Sequence, residues 1–256
     1  MKHYYLGIAG GVVAIVLLLV APAGAETWGG TEVVDNGNKT GQYSSLALDT
    51  EGFPHISYND ESDCYLRYAS WNGTGWTTAV VDSGGDVGFY TSLAFDSSGY
   101  PHISYYDNTK KDLKYAFLNG TGWETATVDS DDNVGGIISS LALDLEGFPH
   151  ISYCDTTNTA LKYAFRNGTV WETATVDSDD NLGGAPSLAL DSDGFPHISY
   201  IDNTKHDLKY ASWNGTGWET ATVDNDGDVG GYGTSLALDP ERLPPTSVIM
   251  IIRTVP

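Results

Sequence analysis

The sequence predicts an all-β protein, and three observations carry the prediction. The phrase Ser-Leu-Ala-Leu/Phe-Asp returns at Ser45, Ser92, Ser140, Ser187 and Ser235, at spacings of 47, 48, 47 and 48 residues. Each of the first four copies runs on into Pro-His-Ile-Ser-Tyr, Leu-Lys/Arg-Tyr-Ala, Asn-Gly-Thr, a Trp and Val-Asp. No amphipathic helical period interrupts them. A period of this size means a solenoid, a propeller or an array. Four short strands per copy select a β-propeller of four-stranded antiparallel blades. A right-handed β-helix ranks below it, because its coils are shorter and lack hairpin turns such as Asn-Gly.

The second copy shows the elements in order. Ser92–Asp96 alternates apolar and polar residues and reads as a first strand. Ser97-Ser98-Gly99 is a tight turn. Tyr100–Tyr106 is a second strand, with Pro101 at its start, where proline is tolerated. Asp107–Asp112 is a polar loop, and Leu113–Leu118 is a third strand. Asn119-Gly120 is a hairpin signal, since both residues accept positive φ. Trp123–Val128 is a fourth strand rich in β-branched residues. Asp129–Ser139 is a Gly- and Asp-rich connection to the next copy. The period of two puts Leu93 with Phe95, Ile103 with Tyr105, and Leu113 with Tyr115 on shared faces that form the blade-to-blade core. His102 and Ser104 face the other neighbour and are buried too.

Full blades fall at about 45–82, 92–129, 140–177 and 187–224. Before them, Trp28–Asp35 resembles a fourth strand alone, and after them Ser235–Asp239 resembles a first strand alone. Sharing a fifth blade between the termini would close a ring of about five blades and leave no open edge. That blade would lack its third strand. After Glu241 the repeat gives way to 242–256, an aberrant tail. One coding of Thr246–Thr254, read one base earlier, yields His-Ile-Ser-Tyr-Asn-Asp-Asn-Thr-Asp, the expected continuation of the repeat. The expectation is a frameshift near Arg242, which would make the propeller region 26–241 an incomplete ring.

Residues 1–25 read as a secretory signal peptide. Lys2 and His3 precede an uncharged run from Leu6 to Val20, and Ala23-Gly24-Ala25 offers small residues for cleavage. The expected setting is extracellular or at the cell surface, with no membrane insertion after cleavage. The formal net charge is −22, from 34 acidic and 12 basic residues. This excludes nucleic acid, which needs a basic footprint, and disfavours anionic membranes. Cys64 and Cys154 stand at different repeat positions, so no disulfide is expected, and no zinc-ligand spacing occurs.

The consensus Leu-Ala-Leu-Asp-x-x-Gly-x-Pro-His-Ile-Ser-Tyr-x-Asp…Leu-Lys-Tyr-Ala…Asn-Gly-Thr-Gly-Trp resembles the repeats of secreted prokaryotic β-propellers. It is broadly similar to Asp-box (sialidase-like) and fucose-lectin-like propellers, over about 26–241. A strict Asp-box is absent. Sialidase activity, as the resemblance implies it, needs three arginines and a Tyr/Glu pair. Past the leader the chain has only Arg67, Arg166, Arg242 and Arg253, so that activity is not carried over.

Candidate binding residues are those that recur. Arg67, Lys114, Lys162 and Lys209 each precede a Tyr, and Trp76, Trp123, Trp171 and Trp218 open the fourth strands. Aromatic faces beside polar hydrogen-bonding groups suit sugars. The same recurrence suits a packed blade interface, which ranks ahead of it. Asp224, Asp226 and Asp228 alternate as calcium ligands do, but Val229 and Ser235 stand where a calcium loop has Gly and Glu. Solvated turns rank ahead of calcium as the reading of these aspartates. His55, His102, His150 and His197 are equivalent and read as structural groups bonded to a neighbouring blade's backbone. Four of the five Asn-x-Thr sequons coincide with hairpin turns. The longer loops, 107–112 and 129–139 with their equivalents, share one Asp-rich face, where function tends to sit.

Together these features point to a non-catalytic binding or adhesion module, multivalent and carbohydrate-binding, with calcium as the candidate cofactor and glycans or surface proteins as partners. The alternative is a structural or protein-interaction propeller without a small ligand. A hydrolase or lyase ranks last, because near-identical copies offer no asymmetric centre.

Overall fold

A computed structural model describes residues 4–9, 12–17, 31–131, 134–179, 182–226 and 233–238. Tyr4–Ala9 (β1) and Val12–Leu17 (β2) pair antiparallel, and β2 also takes Thr31–Val33 (β3). Cleavage after Ala25 would leave β3 without that partner. Four sheets follow, each of four antiparallel strands in sequence order. The first holds Thr40–Leu48 (β4), Pro54–Asp60 (β5), Tyr65–Trp71 (β6) and Trp76–Asp82 (β7). The second holds Val87–Phe95 (β8), Pro101–Asp107 (β9), Asp112–Leu118 (β10) and Trp123–Asp129 (β11). The third holds Val134–Leu143 (β12), Pro149–Asp155 (β13), Ala160–Asn167 (β14) and Val170–Asp177 (β15). The fourth holds Leu182–Leu190 (β16), Pro196–Asp202 (β17), Asp207–Trp213 (β18) and Trp218–Asp224 (β19). This is the arrangement of four propeller blades. No helix among the described residues is long and apolar enough to cross a membrane.

The turns follow from residue chemistry. Asp96 Oδ1 accepts the N–H groups of Ser98 and Tyr100, which closes the turn between the first two strands. Asn119 Oδ1 accepts those of Thr121 and Gly122, while Gly120 takes φ +86°. In the third blade Val170 replaces the second turn glycine, and Asn167 pairs directly with Val170. The loop expected at 107–112 is short, because Asp107 and Asp112 are themselves paired.

First strands are longer than expected. The Gly-rich connection turns into strand from Val87 in the second blade, bulged between Val87 and Phe89 and between Phe89 and Ser92. Gly88 makes this possible. Its φ is +92°, and a Cβ there would lie 2.9 Å from Leu66 Cα of the first blade.

The core lies between blades. Leu66, Tyr68 and Val81 of the first blade meet Leu93, Ile103, Tyr105 and Ala116 of the second. Leu113, Tyr115 and Val128 meet the third blade in the same way. Polar groups lock the same interfaces. Ser45, Ser92 and Ser140 accept the backbone N–H of Leu93, Leu141 and Leu188 across the gap at 3.0–3.1 Å. The aspartates ending the outer strands of the first three blades pack against the next blade. Asp129 accepts from Tyr153 Oη at 2.6 Å and Lys162 Nζ at 2.5 Å, and Asp177 does so from Tyr200 and Lys209. Asp82 binds Tyr105 and Lys114 alike.

The ring of about five blades is not found: the four sheets do not close. Among the described residues the middle of a fifth blade is absent. Its expected outer strand is in place, since Val34 packs with Ile56, Tyr58 and Ala69, and Asp35 accepts from Tyr58 Oη at 2.7 Å, as Asp82 does from Tyr105. Of its expected inner strand, 235–239, an isolated bridge forms at Ala237, and Leu236 N donates to Ser187 Oγ at 3.0 Å. Nothing described joins the two, and the tail 242–256 lies outside the described residues.

The repeating histidines depart from expectation in their partners. Each is held inside its own blade rather than by a neighbour's backbone. Nδ1 of His55, His102, His150 and His197 accepts from the hydroxyl of Tyr68, Tyr115, Tyr163 and Tyr210. Nε2 faces Asp49, Asp96, Asp144 and Asp191 at 3.1, 3.6, 3.4 and 3.3 Å. Cross-strand register explains this: His102 sits opposite Phe117 on β10, one step from Tyr115, and the Asp ends the first strand. One acceptor and one donor nitrogen suit a neutral imidazole. Cys64 and Cys154 are not joined in a disulfide.

Lys162→Ala leaves the Asp129 carboxylate buried and unpaired, and should cost about 3 kcal/mol in chemical denaturation. Acid should unfold the protein in two stages, read as melting temperature against pH. Burial drives His55, His102 and His150 below the usual histidine range, against the pull of their aspartates. The stability they confer is therefore complete above about pH 6.5 and declines as pH falls below it. Burial also pushes the Asp82, Asp129 and Asp177 carboxyls up, but Lys and Tyr hydrogen bonds outweigh it and hold them below the usual carboxylate range. Their contribution is complete above about pH 4 and is lost as pH falls through the depressed values.

Candidate functional site

The aspartate-lysine pairs leave the opposite end of each blade interface free to open, and there the outer halves of adjacent blades frame a cleft. Between the third and fourth blades its volume is about 450 Å³, within the range of small-molecule sites. One wall is His150, Tyr163, Phe165 and Glu172 of the third blade; the other is Phe195, Trp213 and Trp218 of the fourth. Trp218 meets Tyr163 edge-on at 5.1 Å, and Trp213 meets Trp218 edge-on at 5.7 Å. The local cause is the Trp-x₄-Trp hairpin, which makes Trp213 and Trp218 direct cross-strand partners on one face. Tyr163 is anchored by His150, so the wall is rigid.

The repeat places an equivalent frame at the other two interfaces. Trp123 packs edge-on against Tyr68 at 5.1 Å and Trp171 against Tyr115 at 5.2 Å. The frames differ just before the Asn-Gly turn, where Leu118, Arg166 and Trp213 stand in the second, third and fourth blades, and the first interface also has Ser70, Thr77 and Tyr100 where the third has Phe165, Glu172 and Phe195. Beside the first blade, a second opening of about 480 Å³ is lined by Val33, Val34, Asp35, Asn36, Trp76 and Thr78.

The structure separates the binding residues that the sequence suggested into two sets. Trp218 lines the cleft, and Trp123 and Trp171 hold the equivalent place at the other two interfaces. Lys114, Lys162 and Lys209 lie at the far side of the interface, with side chains only 10–13% exposed and their ammonium groups held by Asp82, Asp129 and Asp177. Each also lies 5.4–5.6 Å from the ring of its own blade's Tyr105, Tyr153 or Tyr200. Arg67 keeps within the first blade, on Asp60 at 2.6 Å and Asp63 at 3.0 Å. Trp76 packs with Trp71 at 5.6 Å. Of the proposed calcium ligands, Asp224 Oδ1 caps the N–H of Asp226 in a turn, and Asp228 lies outside the described residues. Among the described residues no three His, Cys, Asp or Glu side chains gather as a metal site.

Phe165, Phe195, Trp213, Glu172 and Arg166 were not singled out from the sequence. Positions common to all repeats draw the eye away from those that differ. The signal was the run Trp71, Leu118, Arg166, Trp213 at a single repeat position.

No family model and no curated protein matches the chain. Solved structures match in fold at low identity. A mutant Aleuria aurantia lectin in complex with Fucα1-6GlcNAc is 15% identical with TM-score 0.55, covering 88% of this chain and 78% of its own. A polysaccharide lyase of family PL25, an ulvan lyase, is 14% identical with TM-score 0.57, covering 85% and 67%. The Penicillium chrysogenum α-L-arabinanase complexed with arabinobiose is 12% identical with TM-score 0.55, covering 79% and 72%. These likenesses correct the expectation of a non-catalytic module. Repetition argues against an asymmetric active centre, yet this architecture is shared by glycan-cleaving enzymes as well as by a lectin. The clefts differ from one another here too, so the symmetry argument fails on both counts.

Proposed function

We propose that this chain recognises carbohydrate in the clefts between its blades, as a secreted protein with several sites. The observation that carries the reading is the cleft of Phe165, Phe195, Trp213 and Trp218, with Glu172 at its wall. Flat aromatic faces take the apolar face of a pyranose, and a carboxylate accepts from its hydroxyls. Aromatic faces fixed by packing lose little entropy on binding. Hydrophobic pockets with few placed polar groups are the usual form of such sites. Related clefts at neighbouring blade interfaces give avidity on a repeating glycan. The lectin and the glycan-cleaving enzymes that share the fold support carbohydrate as the ligand class. A calcium ion on Asp224, Asp226 and Asp228 is a further proposal, as a bridge to sugar on that face.

The test is a glycan array followed by calorimetry on the best ligand. Trp213→Ala should weaken binding at least about tenfold, the loss typical of a central aromatic contact, with the melting temperature little changed. Silence across a broad array would favour a protein-interaction propeller instead. Chelator in the same titration separates a calcium-bridged sugar from one held by the rings. Chromatography of the ligand after prolonged incubation reports whether cleavage follows binding.

A further inference from the structure

The interface between the second and third blades repeats the Tyr–Trp frame of the cleft one blade on, with different chemistry. Arg166 and Trp171 are direct cross-strand partners on β14 and β15, so their side chains leave the same face of the sheet. That face looks toward the second blade: Ala164, two residues before Arg166, packs with Leu113 and Tyr115, and Trp171 packs on Tyr115. Arg166 Nε and Trp171 Nε1 are both buried, and neither makes a hydrogen bond. The equivalent Trp123 and Trp218 carry no such orphaned N–H. Arg67, Lys114, Lys162 and Lys209 are each paired with aspartate, whereas Arg166 has no carboxylate partner among the described residues. Glu124, the repeat equivalent of Glu172, is engaged by Asn119. In a chain of net charge −22, an arginine left unpaired inside an interface is unusual.

We infer that this interface is selective for an acidic sugar, whose carboxylate is held by Arg166 and the indole N–H of Trp171. The inference rests on the carbohydrate reading and names the ligand class at one blade interface. Two orphaned donors on one face call for one acceptor with two oxygens. The planar guanidinium fork matches a carboxylate in plane. Trp171 and the ring at Phe117 supply the flat walls that a pyranose needs. Long-range repulsion from the acidic surface is screened beyond about 8 Å at physiological salt, so the local contact decides.

The experiment is calorimetry on the full chain with oligogalacturonate and oligoglucuronate. A neutral galacto-oligosaccharide of equal length and the best ligand of the array serve as controls. Arg166→Leu installs the residue that Leu118 supplies one blade earlier. It should weaken uronate binding at least about tenfold and leave binding of the array ligand at the Trp213 cleft unchanged. Trp171→Phe keeps the ring packed on Tyr115 and removes only the N–H, so it should weaken uronate binding several-fold with the melting temperature held. Arg166→Lys keeps the charge but not the fork and should recover only part of the affinity. Uronate binding unchanged in Arg166→Leu overturns the inference. So does a wild-type chain that binds neutral glycans but no uronate, or one that prefers a sulfated oligosaccharide of equal length. A chain that binds no glycan of any kind overturns the carbohydrate reading itself.

Discussion

One buried carboxylate per interface governs how the blades stack. The aspartate ending an outer strand is taken out of water only when the next blade arrives; one oxygen caps a backbone N–H of its own turn, and the other is satisfied by that blade's second-strand Tyr and third-strand Lys. Half of that arrangement would leave a charge buried alone, which is severely destabilising. The aspartate therefore admits one register between neighbours. It also fixes what the rest of the interface can be. With the lysines committed at one end, the aromatic residues at the other end set the clefts, and the clefts inherit their spacing from the pinned strands. The His–Tyr contacts inside each blade stiffen the same walls, since Tyr68, Tyr115 and Tyr163 each bond a histidine on one side and carry the next blade's tryptophan on the other.

Much of this was legible in the chain. The period gave four blades, the Asp-x-x-Gly and Asn-Gly signals marked the right turns, and alternation identified Leu93, Ile103 and Tyr105 as core. The lone strands flanking the repeats also dock where expected, through Asp35 and Leu236. Other features were hidden for physical reasons. A Gly- and Asp-rich stretch reads as loop, yet the glycines serve close packing and a bulged strand, as Gly88 does beneath Leu66. The partner of His102 depends on cross-strand register, which spacing along the chain does not reveal. Ring closure depends on strands that the repeat does not continue to supply.

The site was the least legible part, because repetition directs attention to what is shared. The shared residues turned out to hold blades together. The position that changes, from Leu118 to Arg166 to Trp213, is where the clefts acquire separate chemistry. Scaffold and site thus divide between invariant and variable positions of one repeat, and the same scaffold serves binding proteins and enzymes alike.

The bond from Ser45, Ser92, Ser140 or Ser187 to the backbone N–H of the following blade has a consequence for how such a chain can evolve. Its donor is main chain, and its acceptor lies in the phrase that opens every copy. A duplicated copy therefore arrives carrying both halves of the joint, and its insertion creates no interface that did not already exist. Arrays of this kind can lengthen or shorten by whole units through unequal recombination without losing their packing, while each new unit is free to diverge at the residue before its Asn-Gly turn. The ligand repertoire of such a protein can widen by gene duplication alone.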